Sequence, residues 1–373
     1  MIIRTDHEII KRITYERTCV KNIRIMAKYD TETKYIYTRK GKKRSRFIVI
    51  PGVPVKSENT MPRAVRTVLH ALSYGGIEVD ASRKLADIKK MDPMRIFYKT
   101  LDAEVYNGDY KVPVRLFFPN EEAMENGAAS GKKPPVILFF HGGGWVTESV
   151  ENYERVCARM AQSTGQIVAS VEYRLAPEYR FPVGLMDCYS AAKVFYTNRF
   201  LLNTDPDRIT IMGDSAGGNL AAAVCMMARD RREFFPKKQI LIYPALNNCY
   251  TEESLFESVR TNGTGYLLTA EKMEDYLKLY ESSPKDRQNP YFAPILAKDF
   301  RNMPDTLILT AEFDPLRDEG EAFGKKLKAA GNRVEVHRIA GAFHGYFALG
   351  IKFLHVQESF EYMNRFLERE EQE

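Results

Sequence analysis

The sequence predicts an α/β fold in which helices flank a mostly parallel central sheet. Short apolar runs alternate with helical segments over residues 136–368, which is the pattern of successive strand–helix–strand units. Several of these runs are apolar throughout, as expected of strands that are covered on both faces. Two glycine-rich motifs directly follow two of the runs. These observations place the chemistry of the chain in the later part of the sequence.

Residues 1–100 are predicted to be an N-terminal extension of mixed structure. Short strands are expected at Lys34–Thr38 and Phe47–Ile50. Pro62–Tyr74 is predicted to be a helix, because proline favours a first helical turn and Gly75-Gly76 follows its end. Ala81–Lys90 is a second candidate helix. None of these segments carries a catalytic pattern.

Residues 101–373 are predicted to hold the sheet. Leu101–Tyr106 and Val112–Phe118 flank Asn107-Gly108, a pair that strongly indicates a hairpin. The polar segment Pro119–Pro135 is interpreted as a surface loop, and Tyr250–Phe300 as a long helical insertion. The other predicted strands are Val136–Phe140, Ile167–Glu172, Arg208–Met212, Gln239–Tyr243, Thr306–Thr310 and Arg333–Ile339. The helices predicted with them are Asn152–Thr164, Gly184–Asn198, Gly217–Arg229, Arg317–Ala330 and Phe353–Glu368.

Composition excludes several classes of protein. The 373 residues are 44% apolar and 28% charged, which is typical of a soluble globular chain. No stretch approaches the roughly eighteen consecutive apolar residues of a spanning helix, so no membrane span is expected. The N-terminal stretch MIIRTDHEIIKR carries charges where a signal peptide needs an apolar run. Five cysteines without CxxC spacing predict reduced thiols, a cytoplasmic location and no zinc site.

The positive charge of the chain is concentrated near its N-terminus. The net charge is +6, and residues 1–50 carry 14 Lys and Arg against 5 Asp and Glu. The densest part, Arg39–Arg46, could contact an anionic surface. A solvated turn between two short strands is the favoured interpretation, because no nucleic-acid motif or aromatic platform accompanies the cluster. Nucleic acid is therefore not expected as a partner.

The motif Gly213–Gly217 indicates a nucleophilic serine. Ser215 follows a predicted strand and precedes a predicted helix, and a serine on such a turn is strained with its hydroxyl exposed. Small flanking residues are needed because strand and helix backbones come close there. The helix N-terminus also favours developing negative charge. Ser215 is therefore the predicted nucleophile.

The motif His141–Trp145 indicates a loop that stabilises an oxyanion. Its three glycines leave backbone N–H groups unshielded, so a tetrahedral oxyanion can approach them. A phosphate-binding loop is the rival interpretation, but no Gly-Lys-Ser/Thr follows. His141 precedes the glycines in the turn after the strand, and we expect it to support the loop rather than transfer protons.

A serine nucleophile needs a base, and the base needs an orienting acid. His344 lies in a glycine-flanked loop after the last predicted strand and is the predicted base. Asp314, just beyond the preceding strand, is the predicted acid, with Asp318 as a competitor one helical turn later. The resulting chain order of serine, aspartate and histidine is that of α/β-hydrolases.

The chain resembles the hormone-sensitive lipase-like family of α/β-hydrolases, which includes bacterial-type carboxylesterases and acetyl esterases. The resemblance rests on five ordered motifs: HGGGW at 141–145, YRLAPE at 173–178, GDSAGG at 213–218, DPLRDEG at 314–320 and HGY at 344–346. It implies an α/β-hydrolase fold with a largely helical cap, formed by residues 1–100 and the insertion 250–300 around the catalytic part of 101–373.

The resemblance also implies the roles of individual residues. The implied catalytic triad is Ser215, Asp314 and His344. The implied oxyanion hole comprises Gly142, Gly143, Gly144 and Ala216, in which Gly142 supports the shape of the loop. Tyr173-Arg174 and Glu178 are interpreted as an ion-paired brace. From their places beside the motifs, the residues expected to line the substrate pocket are Trp145, Leu267, Leu316 and Phe347.

The predicted reaction is hydrolysis of short-chain acyl or acetyl esters through an acyl-enzyme, with a small-molecule ester as partner. This chemistry requires no metal or organic cofactor. An amidase, deacetylase or thioesterase with the same triad stays open. A non-catalytic ligand-binding protein also stays open, because plant gibberellin receptors resemble this family but lack the catalytic histidine, which this chain retains. The sequence leaves a homodimer open.

Overall fold

The chain divides into two compact units, residues 1–60 and residues 61–373. The computed structural model describes residues 23–25, 34–39, 47–51, 61, 63–73, 78–87, 98–126, 134–198, 202, 204–349 and 353–369. Most of the basic cluster Arg39–Arg46, together with the N-terminal stretch MIIRTDHEIIKR and Cys19, lies outside these ranges. The predicted helix ends at Pro62, Tyr74 and Lys90 lie outside them as well.

The first unit contains a small antiparallel sheet. Its strands are β1 (Ile23–Ile25), β2 (Lys34–Arg39) and β3 (Phe47–Pro51), in the order β1-β2-β3. The two predicted strands are β2 and β3, and β2 pairs with both neighbours. Strand β1 is an addition that the loosely periodic sequence around it did not predict.

The second unit begins with two helices and an antiparallel hairpin. Helices α1 (Arg63–Ser73) and α2 (Val79–Asp87) precede strands β4 (Thr100–Asn107) and β5 (Tyr110–Phe117). The hairpin turns at the predicted position, where Asn107 pairs with Tyr110 and Gly108 has a φ of 59°. A short helix, α3 (Glu121–Asn126), begins the segment predicted as a loop. Asn120 explains its start, because the side chain accepts a hydrogen bond from the N–H of Ala123 at 2.7 Å.

Strands and helices then alternate as predicted. The strands are β6 (Val136–Phe140), β7 (Ile167–Val171), β8 (Ile209–Asp214), β9 (Lys238–Ile242), β10 (Asp305–Phe313) and β11 (Val334–Phe343). The helices are α4 (Glu154–Thr164), α5 (Val183–Thr197), α6 (Ala216–Arg231), α7 (Glu257–Thr261), α8 (Ala270–Tyr280), α9 (Arg317–Ala329) and α10 (Leu354–Leu367). Helices α7 and α8 belong to the insertion after β9, which is less helical than predicted and includes two 3-10 turns.

The eight strands β4–β11 form one mostly parallel sheet. Their order is β11-β10-β9-β8-β6-β7-β5-β4. All pairs from β11 to β7 are parallel, and only the β4–β5 hairpin and its contact with β7 are antiparallel. This is the α/β-hydrolase architecture, with β8 near the centre of the sheet.

Alternation along the buried strands produces two cores, one on each face of the sheet. In β6, Leu138 and Phe140 face the core that includes α5, α6 and the insertion, whereas Ile137 and Phe139 face the core that includes α4 and α10. Both faces are covered, which explains why these strands are apolar throughout. The carboxyl ends of β6, β8 and β10 thereby meet at one edge of the sheet.

None of the helices in the described ranges combines the length and the apolar character that crossing a bilayer demands.

Candidate active site

Ser215 lies at the sharp turn between β8 and α6. Its backbone has φ 54° and ψ −119°, a conformation that residues with a Cβ rarely adopt. The turn is held by the N–H of Ser215, which donates to the carbonyl of Ile242 at 2.9 Å, and by the carbonyl of Ser215, which accepts from Ala245 at 3.1 Å. The strained turn is therefore held by hydrogen bonds to β9 and to the segment that follows it.

The glycines of this motif allow the strand and the helix to approach closely. A Cβ on Gly217 would clash with the carbonyl oxygen of Phe140, and one on Gly213 would clash with the carbonyl of Gly217. Substitution at either position would separate α6 from the sheet. The close approach is what places Ser215 at the end of β8.

Three side chains form a continuous hydrogen-bonded chain at this edge of the sheet. Ser215 Oγ lies 2.8 Å from His344 Nε2, and His344 Nδ1 lies 2.7 Å from Asp314 Oδ2. Asp314 is fully buried, and its second oxygen accepts from the N–H of Leu316 at 2.9 Å. A carboxylate at Nδ1 keeps the ring proton there, which leaves Nε2 able to accept the serine proton.

The competing acids have other partners. Asp318 accepts from the N–H of Ser258 at 2.7 Å and pairs with Arg317 at 2.8 Å. Glu312 accepts from the N–H of Gly341 at 2.6 Å, so it braces the strand that leads to His344. Geometry therefore selects Asp314 as the neighbour of the imidazole.

Two other described histidines have ring partners other than Ser215. His337 stacks on Tyr362 with ring centroids 4.0 Å apart. His141 is buried in the loop after β6, where its Nδ1 lies 2.8 Å from the carbonyl of Gly142 and its ring stacks on Tyr173 at 4.4 Å. The hydroxyl of Tyr173 donates to the carbonyl of His141 at 2.8 Å. His141 thus supports the glycine loop through its contacts with Gly142 and Tyr173.

The glycine loop adopts conformations that favour glycine. Gly143 and Gly144 have φ values of 110° and 61°, and the carbonyl of Gly143 accepts from the N–H of Thr147 at 2.9 Å. The N–H of Gly142 donates to Asp214 Oδ1 at 2.8 Å. Gly142 is therefore a support of the loop and not an available oxyanion donor, which leaves Gly143, Gly144 and Ala216 as candidate donors.

The four expected pocket residues have different surroundings. Trp145 stacks on Tyr280 with centroids 4.5 Å apart, and Phe347 packs against Phe360 at 5.6 Å. These two rings belong to the cores on opposite faces of the sheet, and their place in a substrate pocket stays a prediction. The sequence suggests both by their places, because Trp145 ends the HGGGW motif and Phe347 directly follows the HGY motif.

The remaining two pocket candidates differ in burial. Leu316 is fully buried, two residues after Asp314. Leu267 is half-buried with a φ of 70°, and its N–H donates to Ser73 Oγ of α1 at 2.9 Å. Helix α1 therefore contacts the insertion at Leu267.

Three residues near the loop were missed from the sequence. The ring of Tyr276 in α8 lies so close to Gly144 that a Cβ there would overlap it. Arg83 of α2 donates to the carbonyl of Val146 at 2.9 Å and forms a bidentate pair with Glu178 at 2.8 Å. No local pattern marks Tyr276 or Arg83, whereas Asp214, the third, stands inside the serine motif itself.

The predicted brace is ion-paired, but through two separate partners. Arg174 pairs with the buried Asp187 at 2.7 Å. Glu178 pairs with Arg83, and this contact with the guanidinium lowers the pKa of Glu178 to about 2. The YRLAPE motif is thus tied to α5 on one side and to α2 on the other.

Two buried carboxyl groups in this region have raised pKa values. Burial raises the pKa of Asp214 to about 6, although Tyr153, Tyr243 and the imidazole of His344 oppose the shift. Burial also raises the pKa of Glu319 to about 8, against hydrogen bonds from Leu246, Tyr250 and Asn247. Perturbed acids of this kind gather at functional sites.

Comparison with known proteins gives consistent relatives. Residues 137–348 match a family model described as the alpha/beta hydrolase fold. An arylesterase of Saccharolobus solfataricus is 34% identical over 249 residues, which cover 66% of this chain and 77% of that protein. An ethyl acetate hydrolase of Pseudomonas putida is 34% identical over 242 residues, covering 65% and 73%. The solved structure of a Pyrobaculum calidifontis esterase is 35% identical, with a TM-score of 0.73, covering 82% of this chain and 98% of that one.

Proposed function

The chain belongs to the hormone-sensitive lipase-like family of α/β-hydrolases and is a carboxylic ester hydrolase, and on that premise we propose that it hydrolyses short-chain esters through an acyl-enzyme on Ser215. The observation that carries the mechanism is the continuous chain from Ser215 through His344 to Asp314, at 2.8 and 2.7 Å. The serine of this chain stands on a strained turn at a helix N-terminus, where an oxyanion is favoured.

In the proposed first step, Ser215 Oγ attacks the ester carbonyl carbon while His344 Nε2 takes the hydroxyl proton. Asp314 keeps the imidazole in the required tautomer and stabilises the imidazolium that forms. The N–H groups of Gly143, Gly144 and Ala216 receive the oxyanion of the tetrahedral intermediate. Collapse of the intermediate breaks the ester bond, and His344 returns the proton to the leaving alcohol.

In the second step, water attacks the acyl-enzyme. His344 takes a proton from the water, and a second tetrahedral intermediate forms at the same donors. Its collapse releases the carboxylic acid and returns the proton to Ser215 Oγ. The reaction consumes one water molecule and one ester, and every proton moves through one imidazole nitrogen.

The preference for short acyl chains is supported by the surroundings of the glycine loop. The ring of Tyr276 lies against Gly144, and Leu316 is fully buried two residues after Asp314. A bulky ring this close to a proposed oxyanion donor favours a short acyl chain. The relative named as an ethyl acetate hydrolase agrees with a small ester substrate.

The test is hydrolysis of p-nitrophenyl esters with acyl chains from acetyl to dodecanoyl, together with S215A. We expect the highest kcat/KM among the shortest chains and a loss of at least about 1000-fold in S215A, because removal of a triad nucleophile leaves only residual catalysis. A fluorophosphonate probe should label the wild-type protein at Ser215 and leave S215A unlabelled.

Three results would contradict this proposal. Esterase activity that survives in S215A would reject Ser215 as the nucleophile. A maximum at octanoyl or longer esters would remove the short-chain preference. Turnover of p-nitroacetanilide without turnover of any ester would replace the esterase by an amidase with the same triad.

A further inference from the structure

Asp214 is a buried carboxylate next to the proposed nucleophile, and it takes no part in the proposed proton transfers. It is the last residue of β8, and its side chain is 1% exposed. Strand β8 lies between β6 and β9 in the sheet. The carboxylate therefore sits where the ends of three strands meet, next to Ser215 in the chain but directed at different partners.

Three neutral donors converge on this carboxylate. The N–H of Gly142 donates to Oδ1 at 2.8 Å. The hydroxyls of Tyr153 and Tyr243 donate to Oδ2 at 2.9 and 3.1 Å. These donors come from the glycine loop, from the residue before α4 and from the residue after β9. One side chain thus joins three separate segments around the active site.

The contact with Gly142 is close enough to explain why a glycine stands there. A Cβ on Gly142 would lie 2.9 Å from Asp214 Oδ2 and 3.1 Å from the hydroxyl of Tyr153, both shorter than an ordinary carbon–oxygen contact. The hydrogen bond to Asp214 Oδ1 uses the Gly142 N–H, so the amides of Gly143 and Gly144 follow a residue that is held in place. The positions of these two amides therefore depend on that anchor.

The contact with Tyr243 extends to the general base. The ring of Tyr243 lies 4.7 Å from the ring of His344 between centroids. The N–H of Tyr243 is held by the carbonyl of Leu309 in β10. Tyr243 is therefore held both at its backbone N–H and at its hydroxyl, and its ring packs against the imidazole of His344.

We propose that Asp214 is a positioning residue for ester hydrolysis, which holds the glycine loop through the amide of Gly142 and the ring that supports His344 through the hydroxyl of Tyr243. The inference rests on the proposed function, because it assumes that Gly143 and Gly144 receive an oxyanion. It adds a second carboxylate with a task distinct from that of Asp314. Asp314 orients the imidazole directly, whereas Asp214 acts through the loop and the tyrosine.

The proposed role predicts a loss that is specific to the transition state. Oxyanion donors act when charge develops, so a displaced loop lowers kcat more than it changes substrate binding. Burial raises the pKa of Asp214 to about 6, so at pH 8 the carboxylate is ionised and can accept from all three donors. Rates measured at pH 8 therefore compare an ionised Asp214 with the neutral amide of D214N.

The test is D214N, which has nearly the same shape but replaces an accepting oxygen with an amide that donates. We expect kcat for p-nitrophenyl acetate to fall about 10- to 100-fold while KM changes less than about threefold, since the donors are displaced rather than removed. The inhibition constant of phenylboronic acid, which forms a tetrahedral adduct, should rise by a similar factor. Active-site titration with the fluorophosphonate corrects each rate for the amount of competent enzyme.

The matched control is D187N. Asp187 is also a fully buried aspartate with several hydrogen bonds, to Arg174 and Asn107, but it lies in α5. D187N should lower the thermal midpoint and leave kcat per titrated site within about threefold. A D214N enzyme with kcat and inhibition constant within threefold of wild type would overturn the inference, as would an equal loss of kcat in D187N.

A second variant covers the case in which D214N fails to fold. Y243F removes one donor and keeps the ring beside His344, and it should lower kcat about 3- to 10-fold with little change in KM. An unchanged kcat in Y243F would then reject the link to the histidine. Failure of the proposed function looks different, because wild-type Ser215 would then resist the fluorophosphonate before any Asp214 variant is compared.

Discussion

The carboxylate in contact with His344 is one of four acidic side chains within a single short segment. Glu312, Asp314, Asp318 and Glu319 lie within eight residues, yet only the Asp314 oxygen is 2.7 Å from Nδ1 of the imidazole. Glu312 and Asp318 accept backbone N–H groups of Gly341 and Ser258 instead. The direction of each side chain, and not its acidity, therefore determines which group each of these carboxylates contacts.

Replacement of the orienting acid gives the first prediction in this segment. We expect D314N to lower kcat by roughly 10³- to 10⁴-fold, because an amide at this position favours the wrong imidazole tautomer. Initial rates with p-nitrophenyl acetate measure the effect. The matched control, D318N, makes the same change one helical turn later and should retain kcat within about threefold. The assignment fails if D314N keeps more than a tenth of the rate, or if the two variants lose activity equally.

Helix α2 is joined to the glycine loop by one arginine. Arg83 Nε donates to the carbonyl of Val146, and Nη2 donates to the carbonyl of Ala176 at 3.0 Å. The guanidinium also pairs with Glu178, which is 54% exposed, and an ion pair this exposed adds about 1 kcal/mol or less to stability. The two carbonyl contacts are therefore the more important part of the link between this helix and the loop.

A charge swap separates the two contributions of Arg83. We expect R83A to lower kcat/KM for p-nitrophenyl acetate about 3- to 30-fold, because the segment that carries Val146 loses a partner next to the oxyanion loop. The double variant R83E/E178R restores the opposite charges but not the carbonyl contacts, so it should stay impaired. K193A, which breaks the exposed pair with Glu233, should behave as wild type. Full recovery in the double variant would show that the ion pair alone matters.

Across the whole unit of residues 61–373, buried acids make stability depend on pH. Glu319 is fully buried, and its Oε1 accepts from Leu246 N–H at 2.7 Å and from the hydroxyl of Tyr250 at 2.7 Å. Among the described residues its Oε2 has no hydrogen-bond partner, so this oxygen is the natural place for the proton. Burial raises the pKa of Glu319 from 4.5 to about 8.

The sign of the pH effect follows from that shift. Between about pH 4.5 and 8 the folded state holds a proton on Glu319 that the unfolded state releases, so the free energy of unfolding falls as pH rises. Over that window the loss amounts to a few kcal/mol, at about 1.4 kcal/mol for each pH unit. E319Q keeps a neutral side chain with an accepting oxygen, so we expect its loss of stability from pH 5 to pH 8 to be smaller by about 2–4 kcal/mol.

Urea unfolding of wild type and E319Q at pH 5 and pH 8 measures this difference. Asp214 and all other titratable groups except Glu319 are common to both proteins, so their contribution cancels in the comparison. Parallel changes of stability with pH in the two proteins would mean that Glu319 is ionised in the fold throughout the window.

Local patterns predicted most of the strands and helices and the positions of the motifs. The apolar runs predicted β6 to β11, and Asn107-Gly108 predicted the hairpin, because both depend on residues that are neighbours in the chain. Where local patterns were weak, the prediction was wrong. A short helix begins at Glu121 within the predicted loop, and the insertion after β9 has less helix than expected.

The partners of each side chain depend on contacts between distant parts of the chain. Ser215 and His344 are 129 residues apart, Arg83 and Glu178 are 95 apart, and Gly142 and Asp214 are 72 apart. A motif shows that a glycine or a carboxylate is present, but not which donor it meets after folding. For this reason Ser215, Asp314 and His344 could be predicted from their motifs. The tertiary structure alone decided that the Gly142 N–H is used by Asp214 and that Arg83 contacts the segment after the glycine loop. It also decided that Trp145 and Phe347 pack in opposite cores, because strand order and burial determine which groups meet.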